Sequence, residues 1–100
     1  MFIHTVYFWM AEDAPADAAD RIIADCREIL AKIESVRQLW AGKPAMTPRD
    51  VVDNAYGVGL TVVFDDAAGH DIYNPHPLHN EFIARNKASW SRVQVYDFVE

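Results

Sequence analysis

Cysteine, glycine and proline are scarce in this sequence, and each scarcity excludes a class of protein. A single cysteine, Cys26, cannot form an internal disulfide, which excludes a disulfide-stapled scaffold and predicts a reducing, cytoplasmic location. Four glycines and five prolines in 100 residues exclude a collagen-like or low-complexity chain. Basic residues are also few: nine against 15 acidic ones give a net charge of −6, so we expect no nucleic-acid partner.

Long apolar runs are absent as well. The longest stretches without a charged residue, Met1–Ala11 and Asn54–Phe64, are too short to span a bilayer, which needs about 20 apolar residues. The first stretch lacks the basic start and the cleavage site of a signal peptide, so we expect no membrane partner and no targeting segment. What is present is 51% hydrophobic residues, enough for the core of one domain over residues 1–100.

Four segments have the pattern of β-strands. The first is rich in aromatic and β-branched residues, and the others alternate between two faces. In the third, Gly57 and Gly59 lie on one face, where they either admit a closely packed element or leave room for a ligand. The predicted strands are Phe2–Met10, Val36–Lys43, Tyr56–Phe64 and Arg92–Glu100.

Helical patterns fill the intervals between these strands. A first helix is expected with Asp13 as its N-cap and Pro15 in its first turn, ending near Glu34. Asp65 or Asp66 caps a short helix that stops at Asn74-Pro75, and a further helix begins at Pro77. One apolar stripe at helical spacing defines the buried side of the first helix: Ile22, Cys26, Ile29, Leu30 and Ile33.

The resulting order is β-α-β-β-α-β, which predicts the ferredoxin-like α+β fold with a four-stranded antiparallel sheet. Both crossovers are right-handed, so the helices cover only one face of that sheet. The first and third strands are nevertheless apolar on both faces. We therefore expect a homodimer in which the sheets pack face to face. The alternative is that the loop Pro44–Asn54 folds over the bare face.

His79 and Tyr73 are the candidate catalytic residues. His79 follows Pro77 in the first turn of the last helix, where the helix dipole opposes an imidazolium and favours a neutral base. Tyr73 precedes the Asn74-Pro75 reversal, which can turn its phenol toward the same pocket as a hydrogen-bond donor for a carbonyl oxygen. Together they suit proton abstraction next to a carbonyl, with some solvent access to His79 and a partner that fixes its tautomer. The alternative is that both residues only pack or cap.

Other titratable residues support no further chemistry. His76 and His79 are three apart, but His76 precedes Pro77 and is better interpreted as a cap than as a metal ligand. His70 is expected in solvent, and Cys26 in the core. We therefore predict no metal and no cofactor.

Several motifs together resemble the stress-responsive A/B barrel (Dabb) family, whose members are dimeric α+β barrels. The similarity extends over the whole chain. It is carried by a first-strand histidine, His4, by Gly42-Lys43, by a Y-x-x-H-P-x-H-x-x-F motif that runs from Tyr73 to Phe82, and by the final strand Val95-Tyr-Asp97-Phe98.

The resemblance implies a function as well as a fold. In one plant branch of the family, which cyclises polyketides, residues matching Tyr73 and His79 form the acid–base pair, and one matching His4 lines the pocket as a substrate-binding residue. That branch has a further histidine on the third strand, where this sequence has Tyr56-Gly57-Val58.

Three functions are compatible with this information. The first is a cofactor-free enzyme performing acid/base chemistry on a small carbonyl or aromatic, polyketide-like compound. The second is a non-catalytic oligomeric stress-response protein or a protein that binds a small apolar ligand. The third, by likeness to other dimeric α+β barrels, is a cofactor-independent monooxygenase or a haem-handling protein. A cavity of about 300 Å³ or more facing His79 and Tyr73 favours the first or third, and a filled interior the second.

Overall fold

The sheet has the strand order expected of a ferredoxin-like fold, and the computed structural model describes all residues from 1 to 100. Its four antiparallel strands are ordered β2-β3-β1-β4. The strands are β1 (Phe2–Met10), β2 (Gln38–Gly42), β3 (Val58–Phe64) and β4 (Trp90–Val99); the helices are α1 (Ala18–Glu28), α2 (Ala67–Tyr73) and α3 (Pro77–Asn86). None of the helices combines the length and the hydrophobicity needed to cross a membrane.

One face of the sheet forms the core with the helices. On β1 every second residue is buried against them, namely His4, Val6 and Phe8, because side chains alternate along a strand. The predicted apolar stripe of α1 is buried over its whole length, and its last members are reached through a short 3₁₀ turn, Leu30–Lys32, instead of a continued α-helix. Cys26 is fully buried in this core, as predicted.

Helix α1 begins later and ends earlier than predicted. Asp17, not Asp13, occupies its N-cap position, and Pro15 lies in the preceding turn, where its carbonyl accepts from the Ala18 amide at 3.0 Å. The Ala11 amide still donates to the Ser89 carbonyl beside β4 at 2.8 Å. The chain thus stays beside the sheet for one residue after β1 ends. It then reverses direction through residues 11–17, which include the Asp13 and Pro15 that the sequence pattern assigned to the first helical turn.

The opposite, helix-free face is lined by large side chains. Trp40, Tyr96 and Phe98 lie there with 57%, 59% and 55% of their surface exposed. The loop Pro44–Asn54 leaves these three side chains exposed, although its Asp53 lines a cavity with Tyr7 and Trp9 on this face. Tyr56, just beyond the loop, packs its ring against Tyr7 at a centroid distance of 4.9 Å. Phe8 and Val62, which lie on apolar strand faces, are core residues facing the helices.

Gly57 lies just before β3, and Gly59 lies within it. A Cβ on Gly57 would lie 2.3 Å from Cγ of Met10, so a side chain there would require Met10 to move. A Cβ on Gly59 would make ordinary contacts with the rings of Tyr7 and Tyr56, each at 3.5 Å. Of the two predicted alternatives, close packing thus holds at Gly57, whereas a cavity of about 290 Å³ adjoins the tyrosines beside Gly59.

Candidate active site

The reversal between α2 and α3 brings Tyr73 and His79 together. Tyr73 is the last residue of α2, and His76 caps α3 by accepting from the Leu78 amide through Nδ1 at 3.0 Å. Nε2 of His76 lies 3.2 Å from the Glu34 carboxylate, which ties the cap to the end of the α1 region. The ring centroids of Tyr73 and His79 are 4.8 Å apart. His76 itself is thus a capping residue, turned away from any site shared with His79.

His4 approaches the same place from the sheet beneath. Its ring centroid lies 5.8 Å from that of Tyr73, and only 7% of the residue is exposed. On the adjacent strand Asp97 is directly opposite, and its Oδ1 is 2.6 Å from Nδ1 of His4. A carboxylate only accepts, so Nδ1 carries the proton and Nε2 keeps its lone pair. The sequence predicts a partner that fixes the tautomer of His79, but in the structure it is His4 that has one, namely Asp97. The buried Nδ1 of His79 has no hydrogen-bond partner in the chain.

Burial sets the protonation states of all three groups. It lowers the pKa of His79; the Asn74 backbone opposes the shift, and His4 and His70 add to it. Burial likewise lowers the pKa of His4; Asp97 opposes the shift, and His70 adds to it. For Tyr73, burial raises the pKa. At neutral pH the site thus holds two neutral imidazoles and a protonated phenol.

A cavity of about 230 Å³ lies between these groups and the helices. It is smaller than the 300 Å³ expected of an enclosed site, yet it is not a filled interior. Val93 and Val95 on β4 line its edge and are 39% and 41% exposed, so the cavity is open to solvent there. Its polar lining consists of His4, Asn74 and His79, and the other nine lining residues are hydrophobic: Val6, Phe8, Leu60, Tyr73, Phe82, Ile83, Trp90, Val93 and Val95.

Two residues near this site were missed or misjudged from the sequence. Asp97 stands in the quoted β4 motif, but its role depends on pairing with a residue 93 positions away, which no local pattern reveals. His70 was expected in solvent, yet it is half-buried and stacks on Phe2, with ring centroids 4.8 Å apart. Its ring also lies 5.0 Å from that of His4.

Comparison with known proteins places the chain in a family. The model of the family described as Stress responsive A/B Barrel Domain matches residues 2–100. A Dabb family protein with a ferredoxin-like fold from Mesorhizobium loti is 26% identical, with a TM-score of 0.79 over 99% of this chain and 95% of that one. No significant match was found among curated proteins.

Two further solved structures share the fold at lower identity. A dimeric ferredoxin-like protein of unknown function from Thermobifida fusca is 16% identical, with a TM-score of 0.82 over 99% of this chain and 90% of that one. A hydroxynitrile lyase from Passiflora edulis is 17% identical, with a TM-score of 0.82 over 99% of this chain and 92% of that one. At these identities the likeness extends to the fold alone.

Proposed function

The chain belongs to the stress-responsive A/B barrel domain family, and we propose that within this family it is a cofactor-free enzyme performing acid/base chemistry on a small carbonyl or aromatic compound. One observation carries the proposal. A phenol and an imidazole, Tyr73 and His79, lie with ring centroids 4.8 Å apart in a largely apolar cavity that also admits His4.

Each residue has a role that follows from its protonation state. Neutral His79 takes a proton from the carbon next to the substrate carbonyl, since burial disfavours its charged form before the reaction. Tyr73 stays protonated and donates a hydrogen bond to the carbonyl oxygen as it gains enolate charge. His4, with Nδ1 bound to Asp97, binds a donor group of the substrate through its free Nε2.

The cavity supports this function over the two alternatives. Pockets for drug-sized ligands begin at about 300 Å³, so a cavity of about 230 Å³ suits a small substrate and is too small for a haem. A protein that only binds an apolar ligand needs the apolar walls but not three ionisable rings around them. The non-catalytic function is therefore the outcome that an experiment must exclude.

Proton exchange tests the proposal without knowledge of the natural substrate. In D₂O the protein should catalyse exchange of the α-protons of small aromatic ketones, followed by NMR. His79→Ala and Tyr73→Phe should each slow the exchange by about 10²-fold or more, because acid–base groups contribute 10²–10⁴-fold. Tyr56→Phe, a matched change on the helix-free face, should leave the rate unchanged. If the ketones raise the melting temperature but the parent catalyses no exchange, the binding function replaces the enzymatic one.

The same proposal includes a homodimer, formed through the helix-free face. The related Thermobifida fusca structure is described as dimeric. In this chain the helix-free face exposes Trp40, Tyr96 and Phe98, an apolar patch of the kind that marks an interface. A cytoplasmic location, which remains a proposal, agrees with the single free thiol of Cys26, whose pKa burial raises to about 12.

A further inference from the structure

We propose that His4, His70 and Asp97 form a binding site for a divalent transition metal such as Zn²⁺. These residues come from three separate elements, β1, α2 and β4, and each can offer one ligand atom. Those atoms all lie within 4.8 Å of one another. The site goes beyond the proposed acid/base function, because it uses His70, which does not line the cavity with Tyr73 and His79.

The donor set fits such a metal by its chemistry. Neutral imidazole suits zinc, copper, iron and nickel, and two histidines with one carboxylate are a recurring set in sites that keep a coordination position open. His4 is held in place by the sheet and by Asp97, whose Oδ1 lies 2.6 Å from its Nδ1, so two of the three ligands already stand side by side. Half-buried His70 and partly exposed Asp97 leave the remaining position open to solvent.

The arrangement also leaves donors without protein partners. Neither ring nitrogen of His70 is hydrogen-bonded to another protein group, although its ring is held by stacking on Phe2 at 4.8 Å. Asp97 uses one carboxylate oxygen, on His4. The imidazoles of His4 and His70 lie with centroids 5.0 Å apart beside this carboxylate and are not hydrogen-bonded to each other, so each can offer a nitrogen lone pair. A cation between them would engage all three side chains.

Only a small adjustment is needed for coordination. Ligand atoms on a tetrahedral zinc lie about 3.4 Å apart, as zinc–ligand bonds of about 2.0–2.2 Å require. The His4–Asp97 pair, now at 2.6 Å, would open by roughly 1 Å, and the most distant pair would close by a similar amount. To bind the metal through Nδ1, His4 changes tautomer: the proton leaves Nδ1 and one is taken up at Nε2, so the imidazole stays neutral and no net proton is released.

Zinc titration of chelator-treated protein, by calorimetry near neutral pH, tests the site. The parent should bind one Zn²⁺ per chain, and His70→Ala should weaken the binding at least about 100-fold, since even residues that only orient a ligand contribute 10–100-fold. Asp97→Asn should act in the same direction. His79→Ala, which removes a nearby histidine outside the cluster, should leave the affinity unchanged. Circular dichroism checks that each variant is folded, and His70→Gln is measured beside His70→Ala so that one His70 variant remains if the alanine does not fold.

Three results would overturn the site: no saturable zinc binding by the parent, equal affinity in the parent and both His70 variants, or a loss of binding in His79→Ala as large as that in His70→Ala. These results are separable from failure of the acid/base function. Proton exchange is measured on the chelator-treated protein, where the enzyme proposal requires activity with no metal added.

Discussion

The four histidines of this chain do different things because their surroundings differ. His76 caps helix α3, and its ring cannot rotate toward a ligand without breaking the hydrogen bond from the Leu78 amide. His4 has its tautomer set by Asp97, whereas the buried Nδ1 of His79 lacks a partner. An unpartnered buried polar atom costs free energy, so it is expected where a ligand supplies the missing bond. Of these three histidines, only His79 thus has a buried ring nitrogen whose missing hydrogen bond a ligand could supply.

The two pocket histidines should make stability depend on pH. Burial lowers the pKa of both His4 and His79 below the ordinary value of 6.5. The unfolded chain then binds more protons than the folded one between those lowered values and 6.5, so the free energy of unfolding rises with pH there. We expect the melting temperature to fall as pH is lowered through 6.5, and His79→Gln to reduce this dependence.

Melting curves recorded from pH 8 down to about pH 5 measure the effect above the range where ordinary carboxylates titrate. His76→Gln is the comparison for a histidine outside the cavity; because it also loses the α3 cap, the slope of its melting temperature against pH is compared and not the melting temperature itself. A melting temperature that stays constant or increases on acidification would show that the two imidazoles are not buried neutral groups.

Much of the candidate site followed from the sequence, and the rest required the register of the sheet. Tyr73 and His79 flank one reversal, so their proximity depends on a few residues of local structure. His4 meets Asp97 only because β1 and β4 pair with those two residues opposite each other. His70 lies within 5.0 Å of the His4 ring only because the tertiary fold brings α2 and β1 together. Contacts between distant segments are fixed by tertiary packing, on which spacing carries no information.

Among the structural elements, α2 depends most clearly on its cap. It has only seven residues, and the Asp66 side chain accepts from the Gly69 amide at 3.2 Å. Short helices are marginal by themselves, so the cap and the packing of Tyr73 hold this one in place. We expect Asp66→Ala to lower the free energy of unfolding by about 1 kcal/mol, as loss of an N-cap typically does. Urea denaturation measures it.

Asp65 provides a matched control one residue earlier. Its carboxylate pairs with Arg37 at 2.9 Å, but both side chains are more than half exposed. Exposed ion pairs contribute little, so Asp65→Ala should cost at most about 0.5 kcal/mol. Equal losses for the two variants would mean that charge near the helix start, and not the Asp66 cap, stabilises α2.

The elements themselves were predictable, and their ends were less so. Strand β1 has the predicted bounds, because an uninterrupted run of strand formers leaves no alternative. Helix α1 begins one turn later than predicted, because the chain reversal after Met10 takes up Asp13 and Pro15. Asp and Pro are as common in turns as at helix starts. Turn and cap positions favour the same residue types, so the sequence alone did not distinguish them.

As a whole molecule, the chain has a core on one side of its sheet only. The helices bury one face, while on the other the Arg92 guanidinium lies over Trp9, 4.3 Å from the ring centroid. The cavity and the three candidate site residues lie on the helix side, so a partner on the opposite face leaves them accessible. Assembly and the candidate chemistry thus use opposite faces of one sheet.

This separation predicts variants that lose the dimer and keep the fold. The parent should scatter light at twice the chain mass of 11.4 kDa. Trp40→Glu and Tyr96→Glu should each scatter at the single-chain mass, because a two-fold interface receives every introduced charge twice. A stable interface typically buries at least about 1,200 Å², so it would include these exposed side chains. Their circular dichroism should remain that of a folded protein, since both side chains are more than half exposed.

Val51→Glu supplies the control for this experiment, since Val51 is 80% exposed on a loop outside the sheet and should not affect assembly. A parent that scatters as a monomer at micromolar concentration contradicts the dimer. A dimer that survives both glutamates places the contact elsewhere, with the free edge of β4 as the next surface to test. Because the cavity lies on the opposite face, any proton exchange by the parent should persist in the Trp40→Glu monomer, which shows whether each chain carries a complete site.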